Sequence, residues 1–406
     1  MRILLLHQYF LFPDQNGGTR SYDLAKSFVE KGYEVTVISA TSINDYQSKK
    51  GWTIIQREGI EVHYIYIPYG NQLSYPKRIR SFIKFMIAST RHVLKLKGDI
   101  VLATSTPLTI GIPALIKKKY HKTPFIFEVR DVWPEAVIAI GAIKNNIIQK
   151  ALYKLEKTIY KNATAVVPLS VDMKTSIDLR YPSFRSKTTI VIPNISEIDR
   201  FQARVDSSNI IEETIGFKPN YTVLYAGTFG KVNGIHKIIE LANQTIKEDP
   251  LLVYVLMGSG AEKENIRALA KKKKVLNKNV FILEPVVKSK LPIWYNAAST
   301  GSSFVVDIKE LWANSANKFF DTLAAGKPIL INHEGWQAKK IRSQNIGYVL
   351  PFNVNKVEAK NFVNYTKDSN LHKIQSENAL KLAKSEYALE IASQKYIKIF
   401  NSIENV

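Results

Sequence analysis

Residues 1–38 read MRILLLHQYFLFPDQNGGTRSYDLAKSFVEKGYEVTVI, and this stretch predicts the fold class. The apolar run at its start meets polar His7, which is typical of a buried first strand. A helical pattern over 21–31 and a β-branched strand pattern over 34–38 follow. Strands separated by a helix of that length predict a βαβ unit, in which a right-handed crossover joins two parallel strands.

The same alternation occurs twice along the chain. The first round continues through strand and helix patterns at 100–103, 108–120 and 124–128, and a second round begins after Phe201. Its strand patterns lie at 222–226, 251–257, 280–283, 302–306 and 328–331, and its helical patterns at 235–244, 262–272 and 317–325. We therefore predict two Rossmann-like α/β lobes, residues 1–196 and 197–383, and a C-terminal helical segment, 384–406, that packs back on the first lobe.

Composition excludes several classes of protein. The chain has 406 residues, which favours two domains, and its 45% hydrophobic content excludes wholesale disorder. It has no cysteine, which excludes a disulfide framework, thiolate metal sites and cysteine nucleophiles. The apolar runs are too short for a secretory signal or for a bilayer of about 30 Å, so we expect a cytoplasmic protein.

The formal net charge of +22 indicates an anionic partner. Nucleic acid, an anionic membrane surface and phosphorylated substrates all fit a strongly basic chain, and so does a surface that is simply rich in solvated lysine. No nucleic-acid recognition motif with interleaved aromatic residues is found, so a nucleic-acid partner is not expected.

Glycines follow three of the predicted strands. Gly17 and Gly18 come after the first strand, Gly227 and Gly230 open the second lobe's first turn, and Gly258 follows its next strand. Glycines at such turns let backbone amides approach a phosphate, and Lys231 and Thr228 lie in the same loop as Gly227. Tight turns without a ligand would explain the same residues, because this spacing is common by chance.

The segment 128–135, EVRDVWPE, follows a predicted strand at the edge where open α/β sheets bind ligands. Asp131 is a candidate to accept a proton or hold a sugar hydroxyl, and Arg130 to orient it or to bind a phosphate. The alternative is a structural Arg–Asp pair that caps the next helix.

The segment 314–328, NSANKFFDTLAAGKP, predicts a helix whose first turn presents free amides beside Asn317 and Lys318. Asn314 or Ser315 is the expected cap, and the helix start with a lysine suits a diphosphate. Asp321 lies one turn after Asn317, on the same face, where a carboxylate could bind both hydroxyls of a ribose. An ordinary amphipathic helix is compatible with the same pattern.

A basic helical segment lies at 77–95. Its apolar stripe, which includes Ile79, Phe82, Ile83 and Met86, is expected to face the core. Phe85 is set among charges and is expected to be exposed, so that the segment could lie on an anionic membrane. The candidate membrane contacts are Lys77, Arg78, Arg80, Lys84 and Phe85. The alternative is a core helix with its basic side chains in water.

Taken together, these motifs resemble glycosyltransferase family 4, whose members have the GT-B fold of two facing Rossmann-like domains. The resemblance covers nearly the whole chain. It rests on Gly17-Gly18, Pro193-Asn194, Gly227, Gly258-x-Gly260 and the run Ala324-Ala325-Gly326-Lys327-Pro328, in the expected order. The forms RDVWP at 130–134 and NKFFD at 317–321 look like a branch that makes O-antigen and capsule, often from N-acetyl amino sugars.

The resemblance implies a retaining transfer from a nucleotide-sugar, expected to be UDP-linked, to a lipid-linked or oligosaccharide acceptor, without a protein nucleophile. A metal is not expected, because no Asp-x-Asp pair is present. The chain departs from the family at the first of two usual glutamates, which is Ala313, and at a phosphate-binding arginine and lysine, which are Thr228 and Asn233. Lys318, Lys231 and Arg130 are therefore the candidate cations for the diphosphate.

Two other functions are compatible with a GT-B chain. A sugar-nucleotide 2-epimerase shares the fold but needs additional acids and histidines around the sugar, and the chain has seven histidines with none in the segments 128–135 and 314–328. A non-catalytic nucleotide-binding scaffold is compatible with Ala313 in place of the first glutamate. It predicts nucleotide affinity without turnover.

Overall fold

The structure, a computed structural model, describes residues 1–43, 51–70, 73, 75–188, 190–202 and 209–404. It contains two α/β lobes, one built on a seven-stranded sheet and the other on a six-stranded sheet. The predicted fold of two Rossmann-like lobes with mostly parallel sheets is confirmed.

The sheet of the first lobe has the strand order β3-β4-β2-β1-β5-β6-β7. Its strands are β1 (Arg2–Leu6), β2 (Glu34–Thr41), β3 (Trp52–Arg57), β4 (Ile60–Tyr66), β5 (Ile100–Thr104), β6 (Phe125–Val129) and β7 (Ala165–Pro168). All neighbours are parallel except β3 and β4, which form a hairpin at one edge. The hairpin was not predicted, although its turn, Glu58-Gly59, has the two left-handed residues that a tight hairpin requires, with φ of 53° and 78°.

Helices cover both faces of this sheet because its strands are apolar on both sides. The helices of the first lobe are α1 (Arg20–Glu30), α2 (Tyr75–Val93), α3 (Gly111–His121), α4 (Glu135–Ala139), α5 (Asn146–Asn162) and α6 (Val171–Arg180). Ile3 and Leu5 of β1 belong to the core under α1, whereas Leu4 and Leu6 belong to the core under α2, α3 and α5.

The second lobe repeats the arrangement with the strand order β10-β9-β8-β11-β12-β13, all parallel. Its strands are β8 (Tyr221–Ala226), β9 (Leu252–Met257), β10 (Val280–Leu283), β11 (Thr300–Ser303), β12 (Ile329–Ile331) and β13 (Gly347–Val349). After α7 (Ile198–Gln202) and α8 (Ile210–Ile215), its helices are α9 (Ile235–Thr245), α10 (Lys263–Lys272), α11 (Leu291–Ala297), α12 (Asn317–Ala324), α13 (Trp336–Gln344), α14 (Lys356–Thr366) and α15 (Ser369–Leu382).

The chain passes between the lobes at two adjacent places. Ser196 on the outward passage pairs with Ala388 on the return, and the Ser196 N–H donates to the Tyr387 carbonyl at 2.8 Å. After the return, α16 (Leu389–Glu404) packs against α1 in the first lobe's core, as the sequence predicted. The first lobe is thus completed by the last residues of the chain.

A buried ion pair joins the parts of the first lobe that are most distant in sequence. The guanidinium of Arg20 on α1 donates to Glu128 at the end of β6 over 3.0 and 3.2 Å, and both side chains are about 1–2% exposed. Arg20 also donates to the carbonyls of Ile192 and Pro193, and Tyr396 of α16 donates to Glu128. One carboxylate therefore links β6, α1, the outward passage and the C-terminal helix.

Burial by itself would raise the pKa of Glu128. The charges of Arg20 and Arg130 and the hydrogen bonds from Tyr396 and Arg20 outweigh it, and they lower the pKa to about 2. A carboxyl group whose pKa is lower in the folded than in the unfolded chain stabilises the fold at neutral pH, and this stabilisation disappears as the pH falls toward 2.

No helix in the described ranges is both long enough and apolar enough to cross a membrane.

We predict that Glu128→Gln destabilises the protein by about 3 kcal/mol or more, because the Arg20 charge stays buried without its partner. Asp99→Asn is the matched control, since the Arg2–Asp99 pair has side chains 43% and 41% exposed and should contribute less than about 1 kcal/mol. Urea unfolding followed by circular dichroism at pH 7 measures both. Equal urea midpoints for the two variants would show that the buried pair stabilises the fold no more than the exposed pair does.

Candidate functional site

The carboxyl ends of the two sheets face each other across a cleft that contains two adjoining cavities of about 500 and 350 Å³. Gly18 of the first lobe and residues of the second lobe border both cavities: Thr228, Ala316, Asn317 and Lys318. Open α/β sheets bind ligands at this edge. The larger cavity extends toward β6 and the smaller one toward β9.

The first lobe's wall of the larger cavity contains both residues predicted at the end of β6. Asp131 accepts a hydrogen bond from the Thr106 hydroxyl at 2.6 Å, and the Arg130 N–H donates to the Ser105 hydroxyl at 2.9 Å. Asp131 and Arg130 are half-buried and border the cavity. Neither forms a side-chain cap for α4, so the alternative of a capping Arg–Asp pair is wrong.

His7, at the end of β1, is a wall residue that the sequence analysis did not select. Its Nε2 lies 3.3 Å from a guanidinium nitrogen of Arg130. A guanidinium can only donate hydrogen bonds, so His7 Nε2 is the acceptor and the ring proton is on Nδ1. Burial, together with the nearby Arg130 charge, lowers the pKa of His7 to about 3. His7 is therefore a neutral group that holds Arg130 in place. Its position as the first polar residue after β1 was the available signal.

The other two acids of the 128–135 segment are structural. Glu128 is in the buried ion pair with Arg20, and Glu135 pairs with Arg180 of α6 and accepts from the Ser176 hydroxyl. Only Asp131 among the three acids borders the cleft.

In the second lobe, two of the predicted glycines allow a close approach. A Cβ at Gly227 would lie 3.0 Å from the Lys318 ammonium, and a Cβ at Gly258 would lie 1.8 Å from the Gly227 carbonyl oxygen. Both glycines border the smaller cavity. Gly230 and Lys231 border neither cavity, and Lys231 is exposed on the short turn that follows.

The helix α12 begins at the cleft. Its N-cap is Ala316, without a side-chain cap bond, so the prediction that Asn314 or Ser315 caps the helix is wrong. Asn314 instead accepts from the Ala316 N–H at 3.2 Å. The amides and side chains of Asn317 and Lys318 stand where the two cavities meet.

Among the residues that the structure describes, no carboxylate lies within ion-pair distance of Lys318, and its Nζ lies 4.9 Å from the centre of the Tyr225 ring. Burial lowers the pKa of its ammonium to about 8. A buried ammonium that faces a cleft without a carboxylate partner is suited to an anionic ligand.

Asp321 borders the smaller cavity and is already engaged. Its Oδ1 accepts from the ammonium of Lys288 at 2.6 Å, and both side chains are under 8% exposed. The sequence analysis did not select Lys288, because a lysine in a loop gives no signal of burial.

The glycine loop of the first lobe closes against α12. A Cβ at Gly18 would lie 2.3 Å from Asn317 Nδ2, and one at Gly17 would lie 2.4 Å from the side chain of Leu11. Asn194 in the passage between the lobes donates to Asn317 Oδ1 at 2.8 Å. Asn317 is therefore held from both sides by the first lobe and the passage.

The basic helix α2 differs from its prediction. Phe85 is 1% exposed and lies in the core, so its predicted exposure is wrong. The predicted core stripe is also partly wrong, because Ile79 and Ile83 are 42% and 45% exposed, as is the neighbouring Ile87 at 43%. Lys77, Arg80 and Lys84 are exposed beside these isoleucines, and Arg78 is half-buried.

Two family models match the chain. The model described as Glycosyl transferase 4-like domain matches residues 17–194, and the model described as Glycosyl transferases group 1 matches residues 207–382. Together the matches take in both lobes and both walls of the cleft.

Two curated relatives are similar to the chain at low identity. A colanic acid biosynthesis glycosyl transferase, WcaI of Escherichia coli strain K12, is 21% identical over 288 residues, 67% of this chain and 69% of the relative. A glycosyltransferase of Methanocaldococcus jannaschii named uncharacterized, MJ1059, is 23% identical over 265 residues, 64% of this chain and 61% of the relative.

Solved structures share the fold over nearly their whole length. Sucrose-phosphate synthase from Thermosynechococcus elongatus has a TM-score of 0.74 at 15% identity, and the match covers 100% of this chain and 99% of the synthase chain. HepE of Anabaena, in complex with UDP and glucose, has a TM-score of 0.71 at 15% identity, with 99% and 100% covered. WaaG, a glycosyltransferase involved in lipopolysaccharide biosynthesis, has a TM-score of 0.68 at 16% identity, with 97% and 98% covered.

Proposed function

The chain belongs to the glycosyltransferases, and we propose that it transfers a sugar, with retention, from a UDP-sugar to a lipid-linked saccharide during the synthesis of a bacterial surface polysaccharide. An N-acetyl amino sugar is the proposed donor sugar, on the resemblance of the segments 130–134 and 317–321. None of the relatives named above is described as an epimerase, and a 2-epimerase is not proposed.

One observation carries the proposal: a cation, a helix start and two glycine turns meet in the cleft opposite Asp131. Lys318 and the first amides of α12 stand beside Gly227, at the place where the two cavities join. A diphosphate bound there would receive the helix dipole and the ammonium charge together. The nucleoside would then occupy the smaller cavity and the sugar the larger one.

The smaller cavity supports a nucleoside. Asp321 borders this cavity and lies one helical turn beyond Asn317 on α12. One turn is about 5.4 Å, which suits the separation between a diphosphate and the ribose next to it. Pro285, Val286 and Leu291 give it an apolar wall against which a planar base could lie. UDP is proposed because HepE, which has the same fold, is described as a complex with UDP.

Among the three candidate cations, the geometry favours Lys318. Lys231 is exposed and borders neither cavity, and Arg130 stands on the opposite wall, next to Asp131 and His7. Lys318 would therefore replace the arginine and lysine that relatives of family 4 carry where this chain has Thr228 and Asn233. Arg130 would contact the leaving phosphate or the sugar from the first lobe.

In the proposed reaction the bond between the anomeric carbon and the diphosphate oxygen breaks while an acceptor hydroxyl forms a bond to the same carbon on the same face. The hydroxyl proton passes to the departing phosphate oxygen. Lys318 and the α12 amides stabilise the charge that develops on this oxygen, which is how a preorganised site lowers the barrier. Asp131, fixed by Thr106, would bind a sugar hydroxyl and hold the reacting carbon next to the acceptor hydroxyl.

The charges on the helices α2, α3 and α5 support the proposal that the protein attaches to an anionic membrane. Together they carry twelve lysines and arginines and one acid, Glu156, which is buried. The exposed Ile79, Ile83 and Ile87 form an apolar stripe on α2 within this basic face. Basic side chains around an apolar stripe suit the interface of an anionic bilayer, where a lipid-linked acceptor would be located.

The first test is calorimetric titration of the protein with UDP, GDP and ADP, with and without EDTA. We expect UDP to bind most tightly and EDTA to have no effect. Lys318→Met should weaken UDP binding about 10- to 100-fold, which corresponds to one charge-assisted hydrogen bond to a phosphate. UDP affinity of the unaltered protein should also fall as the pH rises above about 8, where the ammonium loses its proton.

Lys339→Met, at an exposed lysine of α13, is the control and should leave the UDP affinity unchanged. Equal losses in Lys318→Met and Lys231→Met would contradict the choice of Lys318. Absence of binding by all three nucleotides would overturn the donor proposal itself.

A second prediction concerns Asp131→Asn. The amide keeps the size of the side chain but loses the charge that binds the sugar hydroxyl, so turnover should fall at least 100-fold. UDP affinity should stay within about three-fold, because Asp131 lies in the larger cavity and not in the smaller one. Release of UDP from the donor with an acceptor present measures turnover. Turnover equal to that of the unaltered protein would show that Asp131 has no role in the reaction.

A third prediction concerns the membrane. The protein should sediment with vesicles that contain phosphatidylglycerol at low salt and should not sediment with phosphatidylcholine vesicles. Ile83→Glu should abolish most of this binding, whereas Ile374→Glu, at an isoleucine that is 51% exposed on α15, should not. Equal sedimentation of the two variants would show that α2 does not contact the membrane.

A further inference from the structure

Lys288 is a buried lysine that contacts two carboxylates from different parts of the chain. Its ammonium lies 2.6 Å from Asp321 Oδ1 on α12 and 3.5 Å from Glu197 Oε1, in the passage between the lobes. It also lies 5.3 Å from the centre of the Phe201 ring, and its side chain is 3% exposed. No step of the proposed reaction uses this side chain.

The contacts continue from Glu197 into the first lobe. Glu197 Oε1 lies 3.0 Å from the hydroxyl of Thr19, which begins α1 immediately after the glycine loop. Arg200 pairs with Glu197 and with Asp23 of α1. A continuous series of charged contacts thus runs from α1 through the passage to Asp321, in the wall of the smaller cavity.

The backbone around Lys288 contacts the first lobe as well. The Lys288 N–H donates to the Gln15 carbonyl at 3.3 Å, and the Ser289 N–H donates to the Pro13 carbonyl at 3.1 Å. The loop that receives these bonds ends at Gly18, which abuts Asn317. The same residue therefore touches the glycine loop through its backbone and Asp321 through its side chain.

We propose that Lys288 is a positioning residue for the nucleotide. It orients the Asp321 carboxylate toward the ribose, and it couples occupation of the smaller cavity to docking of the first lobe's glycine loop. The proposal rests on the proposed function, since it assumes that a nucleotide binds beside Asp321.

The charges give the physical reason. Asp321 and Glu197 both lie within 4 Å of one ammonium, so that without it the two buried carboxylates would repel each other. Removing this shared cation leaves both carboxylates less compensated, and they move apart. An Asp321 that has turned away can no longer accept two ribose hydroxyls.

The test uses Lys288→Met, with Lys290→Met as the control, because Lys290 is an exposed neighbour. In calorimetry, Lys288→Met should weaken UDP binding at least 10-fold, and the control should stay within two-fold. The KM for the donor should rise by a similar factor, while kcat at saturating donor should change less than about three-fold. Lys288→Met should have little further effect on UDP affinity in an Asp321→Asn background, because its action passes through that carboxylate.

Hydrogen exchange of a peptide that covers residues 11–19 tests the coupling. In the unaltered protein UDP should slow this exchange, and in Lys288→Met it should not. Glu197→Gln leaves the Lys288–Asp321 pair intact, so its UDP affinity should stay within about three-fold while the slowing is lost. This variant decides the coupling even if Lys288→Met does not fold.

Unchanged UDP affinity in a folded Lys288→Met, or equal losses with and without Asp321→Asn, would overturn the positioning role. Unchanged slowing of exchange in Glu197→Gln would overturn the coupling. If the unaltered protein binds no nucleotide, the proposed function fails and this inference fails with it. If the unaltered protein binds UDP and the Lys288 variants bind UDP with the same affinity, only this inference fails.

Discussion

The buried pair of Arg20 and Glu128 is the interaction on which the first lobe depends. It joins a helix near the start of the chain, a central strand, the passage to the second lobe and the C-terminal helix through Tyr396. Because a lone charge in this position would be strongly unfavourable, these elements must assemble together. The strand that contains Glu128 also sets the position of Arg130 and Asp131, only two and three residues further on, so the same contact that completes the core fixes the first lobe's wall of the cleft.

The second lobe forms its wall differently, with closely packed backbone and the buried ammonium of Lys318. Gly258 packs against the Gly227 carbonyl, and Gly227 leaves room for the Lys318 ammonium of α12 next to the loop. Thr228 and Asn233, which border the larger cavity in this lobe, are neutral, so in the proposed site the positive charge comes from the helix side of the cleft. A cation at the start of a helix acts together with the helix dipole. The proposed diphosphate site therefore has a positive charge although its loop side contributes these neutral residues.

Sequence patterns were sufficient for the two lobes, because alternating strand and helix periods are local properties, and they selected Asp131, Asn317 and Lys318 because these residues follow strands or begin a helix. They failed on α2, where two apolar stripes run along one helix. Phe85 is buried together with Ser81 and Ser89, one helical turn before and after it, whereas Ile79, Ile83 and Ile87 remain exposed. Helical periodicity cannot show which of two apolar stripes meets the core. It also cannot show that Lys288 is buried, since that depends on contacts between lobes.

The segment 128–135 shows why residue type alone does not define a site. Its three acids lie within eight residues at the carboxyl end of one strand, yet their surroundings give them different roles. Glu128 still belongs to the buried strand and must neutralise Arg20, whereas Glu135 has reached α4 and pairs with Arg180 at the edge of α6. Asp131 lies between them, in the turn, and accepts a hydrogen bond from the neutral hydroxyl of Thr106. Glu128 and Glu135 are held by their cations away from the cavity, so among the three acids only Asp131 borders the cleft and is available for binding there.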